Sequence, residues 1–117
     1  MDDCIFCMIA NGRLEAKRVY EDDTVVAFDD VAPQAPIHTL IIPKVHYQSM
    51  SDDLPAETLA ALFGAVRAVA KAKGMTESGY RVIVNNGRDA NQSVAHLHIH
   101  IMGGGEMSHH MVDFVAD

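Results

Sequence analysis

The sequence contains no run of basic residues, and this absence limits the partners to consider. Lys and Arg number 9 against 16 Asp and Glu, which gives a formal net charge of -7 at pH 7. Because nucleic-acid affinity depends on clusters of Lys and Arg that meet phosphates, the composition argues against a nucleic-acid partner. A small nucleotide is not excluded, since a single pocket can be locally favourable on an acidic surface.

Targeting and membrane segments are also missing from the 117 residues. No stretch reaches the roughly 20 apolar residues that a membrane-spanning helix needs. The N-terminus begins with acidic Asp2 and Asp3 and has no signal-peptide pattern. Internal repeats and low-complexity linkers are absent, so we expect one domain over residues 1–117, located in the cytoplasm and without a membrane partner.

Apolar patterning predicts strands before and after one long helix in the chain. Residues 4–10 are short and apolar and are expected to form one or two helical turns. The long helix is expected over residues 55–74, since Pro55 suits a first helical turn and Gly74 the position just after a helix. β-Branched content predicts strands at 19–21, 24–28, 38–42, 80–85 and 96–101. This order favours an α+β fold with a mostly antiparallel sheet.

Three of the seven histidines alternate with apolar residues in 96-HLHIHI-101. Successive side chains of a strand point to opposite faces, so His96, His98 and His100 would share one face, roughly 6.6 Å apart. A solvent-facing polar side of an amphipathic strand is the simplest interpretation. Strict alternation beside a loop rich in Asn, Gly and Ser favours a functional site instead.

The middle histidine has the chemistry of a nucleophile or base. Histidine has an unperturbed pKa of about 6.5, so at pH 7 it is mostly neutral and has a free nitrogen lone pair. Flanking histidines make protonation harder through like-charge repulsion. His98 is therefore a candidate that needs no further activation.

Cys4 and Cys7 form a CxxC motif near the N-terminus. The spacing alone fits a redox pair, half of a zinc site or two small buried hydrophobes. The sequence around it lacks the strand-then-CxxC context of a redox protein. Tetrahedral zinc needs two further ligands, for which His46 and one of the strand histidines are candidates.

The motif His96-Leu97-His98-Ile99-His100, followed by apolar residues, resembles the signature of the histidine triad (HIT) superfamily. Segments 25–46 and 79–104 are similar to the Hint branch, the histidine triad nucleotide-binding proteins, and the Asn-Gln-Ser-Val run at 91–94 fits that branch better than the others. The resemblance implies a HIT-like α+β fold. Its five-stranded sheet, mostly antiparallel, would be accompanied by one long helix and a short N-terminal helix, and would extend across a homodimer.

The resemblance also implies roles for individual residues. His98 would attack the α-phosphorus of a nucleotide, and the backbone carbonyl of His96 would hold the other ring nitrogen of His98. Asp30 would bind both ribose hydroxyls, as suits a bidentate acceptor. The remaining implied positions are His38 and His100 for phosphate oxygens, Asn85 and Ser93 for phosphate and leaving group, and Ile5, Phe6, Ile9, Phe28 and Val31 for the base.

A zinc site is implied as well, because many bacterial relatives bind zinc through residues that match Cys4, Cys7, His46 and His96. Four protein ligands leave no open position, so such a zinc ion would be structural and the chemistry would need no cofactor. If His96 is a ligand, it cannot easily act as a general acid. Leaving-group protonation would then fall to Ser93, to water near His98 or to the substrate amine.

The function that the resemblance implies is hydrolysis of purine nucleoside 5′-phosphoramidates to nucleoside monophosphates through a nucleotidyl-histidine intermediate. A dinucleoside polyphosphate hydrolase and a nucleotide-binding regulator with incidental hydrolysis are the alternatives. Independently, Leu62, Phe63 and Val66 have apolar surface to share between a core and a partner. Residues 105–117 do not match a Hint pattern and are expected to form a tail, with His109 and His110 exposed or reaching a neighbouring active site.

Overall fold

Two helices and five strands make up the computed structural model, which describes residues 3–115. In chain order they are α1 (Ile5–Ala10), β1 (Arg18–Glu21), β2 (Val25–Asp29), β3 (Ile37–Pro43), α2 (Ala56–Ala72), β4 (Tyr80–Val84) and β5 (Ile99–Gly103). The single domain predicted over 1–117 and its tail therefore include four terminal residues outside the described range.

The five strands form one antiparallel sheet in the order β1-β2-β3-β5-β4. The last strand of the chain lies between β3 and β4, so β1 and β4 are the edges. This architecture confirms the predicted α+β fold with a five-stranded antiparallel sheet, one long helix and one short helix. Neither helix of the described range is long and apolar enough to cross a bilayer.

Apolar side chains are buried on both faces of the sheet, because neighbouring residues of β2 and β3 point in opposite directions. The larger cluster lies under α2 and includes Val25, Ala27, Ile41, Leu62, Val66, Val69, Leu97, Ile99 and Ile101. The smaller cluster lies under α1 and consists of Phe6, Ile9, Val26, Phe28, Leu40 and Ile42. Burying one such large side chain contributes roughly 1.5–3 kcal/mol.

The prediction of a strand from His96 is wrong at its start, since β5 begins at Ile99. Before that point the backbone has other partners: the Leu97 N–H donates to the Tyr47 carbonyl at 2.7 Å. The alternation of faces nevertheless extends back through Leu97, which is buried with Ile99. The histidine face is not solvent-facing, because α1 covers it and leaves His96 0% and His98 3% exposed.

Helix α2 is shorter at both ends than the predicted 55–74. Pro55 has an extended conformation (ψ 145°) and precedes the helix, while Lys73 ends it. Gly74 follows with φ +70°, a left-handed conformation that glycine adopts at low cost after a helix. Leu62 and Val66 are buried, but Phe63 points away from the core and is 45% exposed.

Candidate active site

A cavity of about 420 Å³ opens on the α1 face of the sheet. Its walls come from α1, from β2 and the turn after it, and from the segment leading into β5. We call it the first cavity. Of the residues predicted to bind a nucleotide, all but Asn85 and His38 line it: Ile5, Phe6, Ile9, Phe28, Asp30, Val31, Ser93, His98 and His100.

Helix α1 supplies the apolar wall of the first cavity. A helix of six residues is too short to be stable by itself, so packing must hold it. The Phe6 ring lies edge-on to Phe28 at 5.6 Å and to His98 at 5.1 Å between ring centroids. The Cys4 thiol accepts the Cys7 N–H at 3.4 Å at the N-terminus of the helix. Phe6 therefore fixes the distance between the apolar wall and the histidine.

His98 has a tautomer that its backbone partner determines. Its Nδ1 lies 2.7 Å from the carbonyl oxygen of His96, which can only accept a hydrogen bond. Nδ1 must therefore carry the proton, and in the neutral ring Nε2 has the free lone pair. His98 is buried and lines the first cavity. The Nε2 lone pair therefore belongs to a residue that a ligand in this cavity would contact.

His38 and His100 form a second, linked pair of rings. The Gln34 N–H donates to His38 Nδ1 at 3.0 Å, so His38 carries its proton on Nε2. That proton is donated to His100 Nδ1 at 2.9 Å. Neutral His100 must then carry its own proton on Nε2, which is buried and has no partner among the described residues. The result is an N–H donor without an acceptor, which an oxyanion would satisfy.

His100 is neutral at physiological pH. Burial lowers the pKa of its imidazole to about 4, and repulsion from His98 and His38 acts in the same direction. The Asp30 carboxylate opposes this change but does not outweigh it. The donor at His100 Nε2 is thus an uncharged N–H at pH 7.

The polar residues expected around a nucleotide occupy different parts of the site. Asp30 lies at the end of β2, where one carboxylate oxygen accepts the Ala32 N–H at 2.9 Å and the other lies 3.5 Å from His38 Nε2. Val31 beside it is exposed at the rim. Asn85 does not line the first cavity; it lines a second cavity, which shares His100 with the first.

Ser93 belongs to the loop between β4 and β5, and Gln92 holds this loop in place. The side-chain amide of Gln92 donates to the carbonyls of Val94 at 2.9 Å and Gln48 at 2.6 Å, and its oxygen accepts the Gly87 N–H at 2.9 Å. Ser93 itself is exposed and lines the first cavity. The Gln92 side chain thus positions the hydroxyl of the neighbouring Ser93.

Two cysteines and two histidines converge beneath α1, and we call Cys4, Cys7, His46 and His96 the Cys/His cluster. One ligand atom from each lies within 4.8 Å of the others. His96 Nδ1 is 3.3 Å from the Cys4 sulfur, and His46 Nδ1 is 3.2 Å from the Cys7 sulfur. Burial raises the pKa of the Cys7 thiol, and Cys4 adds to this effect.

The donor set of the Cys/His cluster fits a metal ion. His96 Nε2 donates to the Pro43 carbonyl at 2.9 Å, so the lone pair is on Nδ1, which faces the sulfurs. Burial lowers the pKa of His96 to about 4 and keeps this ring neutral, as a ligand must be. The location of both cysteines beside two histidines favours the metal-site interpretation over the redox pair and the buried hydrophobes.

Comparison with known proteins shows the family of this chain. The HIT domain family model matches residues 11–107. The chain belongs to the HIT domain family. Protein HitA of Neisseria gonorrhoeae is 46% identical over 105 residues, which cover 88% of this chain and 97% of that protein.

Solved structures of the HIT family are similar to this fold. A HIT family hydrolase from Legionella pneumophila superposes with a TM-score of 0.85 at 41% identity, covering 91% of this chain and 96% of that one. A histidine triad nucleotide-binding protein from Candida albicans superposes with a TM-score of 0.80 at 30% identity, covering 94% and 87%.

Several residues of the first cavity are not evident from the sequence. Leu14, Ala16, Leu40 and Val94 also line the first cavity. Leu40 could have been found, because it lies two positions after His38 on β3 and so shares its face. Leu14 and Ala16 lie in irregular chain after α1, where no periodicity indicates which way a side chain points.

Proposed function

We propose that this HIT protein is a nucleotide-binding hydrolase that cleaves purine nucleoside 5′-phosphoramidates at the P–N bond. The observation that carries the proposal is the His98 ring: buried, with Nδ1 committed to the His96 carbonyl and a free Nε2 beside an apolar cavity. The similarity to a hydrolase and to a nucleotide-binding protein supports it.

The first cavity suits a nucleoside. A planar base fits between Phe6, Ile9 and Phe28, since such sites are mostly apolar with a few polar groups that fix orientation. Asp30 would accept the ribose hydroxyls. The N–H of His100 Nε2 would donate to a phosphate oxygen, which gives its buried proton a partner, and Asn85 would complete the phosphate site. His38, whose two ring nitrogens bond to the Gln34 N–H and to His100, would orient His100 and would not itself donate to the phosphate.

The reaction proceeds in two steps. His98 Nε2 forms a bond to phosphorus while the bond to the leaving nitrogen breaks; the nitrogen keeps the electron pair and takes a proton from water. A second water then attacks phosphorus, the electron pair of the P–N bond returns to His98, and this water releases the balancing proton. Covalent catalysis divides one difficult displacement into two easier ones.

His96 acts through its backbone in this mechanism. Both of its ring nitrogens are engaged, Nε2 with the Pro43 carbonyl and Nδ1 with the sulfurs of the Cys/His cluster. It is therefore a positioning residue for His98 and is unsuited to protonating the leaving group. Ser93, which lines the first cavity, is the hydroxyl available to hold the water that does so.

We further propose that the Cys/His cluster holds zinc, with Cys4, Cys7, His46 and His96 as its four ligands. A zinc ion with two thiolates and two imidazoles is typically tetrahedral and structural. Its contribution would be to join α1 to the sheet.

A homodimer through the β4 edge is also proposed. Phe63, Tyr80 and Val82 are large apolar residues between 36% and 45% exposed on α2 and the edge strand. An unpaired edge strand beside apolar surface is a ready pairing site for a second sheet.

Replacing His98 tests the function directly. We expect His98→Ala to abolish turnover of adenosine 5′-phosphoramidate, measured as release of AMP, while AMP binding measured by calorimetry stays within about threefold, because one side chain of a large pocket is lost. The matched control is His109→Ala in the exposed tail. Substantial residual turnover in His98→Ala would place the nucleophile elsewhere, and preferential turnover of a dinucleoside polyphosphate by the wild type would change the substrate class.

A further inference from the structure

Asp29, the last residue of β2, is held by three partners at the point where the strand ends. Its Oδ1 accepts a hydrogen bond from the Thr39 hydroxyl at 3.1 Å. The Lys73 ammonium lies 2.8 Å from Oδ1 and 2.9 Å from Oδ2 of the same carboxylate. The backbone N–H of Asp29 donates to the carbonyl of Lys17, just before β1, at 3.0 Å. Both the side chain and the backbone of this residue are therefore fixed.

The ion pair between Asp29 and Lys73 joins α2 to the sheet. Lys73 is the residue at which α2 ends, and Thr39 lies on β3, directly opposite Asp29 in the strand register. The side chains of Asp29 and Lys73 are only 22% and 26% exposed. Because partly buried charges are screened less than exposed ones, this pair holds its geometry more firmly than a pair on the open surface.

Asp29 and Asp30 point to opposite faces of the sheet. Side chains alternate along a strand, and Ala27 belongs to the cluster under α2 whereas Phe28 belongs to the cluster under α1. Asp29 continues the first series and meets Lys73 on the α2 side. Asp30 continues the second series and lines the first cavity. The ion pair thus lies behind the carboxylate that is proposed to bind the ribose.

The position of the Asp30 carboxylate depends on where the end of β2 is held. The Asp30 N–H donates to the His38 carbonyl at 2.9 Å, and one carboxylate oxygen accepts the Ala32 N–H within the turn that begins here. Within residues 3–115, neither Lys nor Arg pairs with this carboxylate. The ion pair nearest along the chain is that of Asp29 with Lys73, one peptide bond away.

We propose that Lys73, acting through Asp29, is a positioning residue for the ribose-binding carboxylate of Asp30. A carboxylate accepts two neighbouring hydroxyls only if both of its oxygens are correctly placed, and supporting contacts behind a site provide that precision. Holding the end of β2 from the α2 side fixes the peptide that carries Asp30. The result is selectivity for ligands with an intact ribose diol. This inference rests on the proposed function, in which Asp30 binds the ribose.

The affinities of AMP and 2′,3′-dideoxy-AMP, measured by calorimetry, test the proposal, because these ligands differ only in the two hydroxyls that Asp30 would accept. We expect the wild type to bind AMP at least about tenfold more tightly, as suits hydrogen bonds to a charged group. Asp29→Asn/Lys73→Met removes the ion pair without changing the net charge. In this double variant the ratio of the two affinities should fall to about threefold or less, because a displaced carboxylate weakens only the ligand that has hydroxyls.

The matched control is Glu21→Gln/Lys44→Met, which removes another ion pair, 2.8 Å long, without changing the net charge. Neither residue lines the first cavity, so the ratio should stay at its wild-type value. Lys73→Arg keeps the cation and should also preserve the ratio. Circular-dichroism melting reports whether each variant folds.

If the double variant does not fold, Lys73→Met alone decides. This side chain is partly exposed at the end of a helix, where substitutions are tolerated more readily than in a core. The change leaves the Asp29 charge unpaired, which repels the phosphate of both ligands alike. The ratio of affinities removes this common effect and reports on Asp30.

The outcomes separate this inference from the proposed function. An unchanged ratio in the variant that folds, or an equal fall in the Glu21/Lys44 control, would show that the ion pair only stabilises the fold, and this inference alone would fail. Equal binding of AMP and 2′,3′-dideoxy-AMP by the wild type would remove Asp30 from the proposed ribose site, and both would fail. Turnover enters neither result, so a failure of the proposed hydrolysis is detected separately.

Discussion

At the scale of single residues, the chemistry of this site depends on which ring nitrogen holds a proton. Each of the histidines His38, His96, His98 and His100 has one ring nitrogen whose backbone partner or neighbouring ring determines the tautomer. The rings therefore differ in function although their side chains are identical. His98 lines the first cavity and has a lone pair on Nε2, whereas His100 has a buried donor.

The depressed pKa of His100 predicts a pH dependence of stability. In the unfolded chain this ring takes up a proton near pH 6.5, whereas in the folded chain burial delays protonation to about pH 4. The unfolded state thus binds more protons between these values. We expect the contribution of His100 to the free energy of unfolding to be complete above about pH 6.5 and to decrease as the pH falls toward 4.

Thermal melting between pH 4 and pH 7 measures this effect. The melting temperature should rise with pH, and His100→Gln should make this rise less steep, because the amide does not titrate whereas the buried His96, whose pKa is also lowered to about 4, still does. His109→Gln, in the exposed tail, should leave the slope unchanged. An equal slope in the wild type and His100→Gln would assign the pH dependence to other groups.

At the scale of elements, α1 connects the Cys/His cluster to the first cavity. Its N-terminal end carries Cys4 and Cys7, and its inner face carries Phe6 and Ile9. A helix this short depends on tertiary contacts for its stability. Loss of a metal ion from the cluster would therefore loosen the wall against which the base is expected to lie.

His46 offers a test of this coupling, because it belongs to the cluster and does not line the first cavity. We expect His46→Ala to lower zinc content measured by mass spectrometry, and to lower the melting temperature by at least about 4 °C, the shift that about 1 kcal/mol produces in a domain of this size. AMP affinity should fall as well. His110→Ala, in the tail, should leave all three readouts unchanged. Full zinc content in His46→Ala would contradict the ligand assignment, and unchanged AMP affinity with zinc lost would contradict the coupling.

At the scale of the whole molecule, the free edge of β4 is the feature that bears on assembly. Val82 and Tyr80 on this edge, with Phe63 on α2, leave apolar surface uncovered in a single chain. The predicted homodimer would cover that surface. The predicted cytoplasmic location and the single domain over 1–117 stay predictions.

A charged residue on the edge should prevent the dimer from forming, because charged side chains block pairing at a sheet edge. We expect the wild type to have the mass of two chains in light scattering and Val82→Lys to have the mass of one. Val45→Lys is the matched control, since Val45 is 63% exposed and lies outside the strands. A wild type with the mass of one chain would refute the proposed dimer.

Local pattern alone predicted much of the fold. The long helix, the strands and the common face of His98 and His100 follow from periodicity, because side-chain direction repeats every two residues in a strand and about every 3.6 in a helix. The antiparallel sheet was expected from the order of the elements along the chain. Errors occurred where a tertiary contact replaces local preference. The Leu97 N–H and the His96 ring bond to the carbonyls of Tyr47 and Pro43, and the strand begins only at Ile99.

The amino-acid sequence by itself determined which functional groups are available. Its residue types and their spacing give alternating histidines, a CxxC pair and a Gln-Ser loop. Only the tertiary structure decided which of them meet. Inserting β5 between β3 and β4 brings His38 against His100, and folding α1 onto the sheet brings Cys4 to His96 across 92 positions of the chain. Such long-range contacts depend on strand order and register, which are set by burial of the whole sheet and not by any short segment.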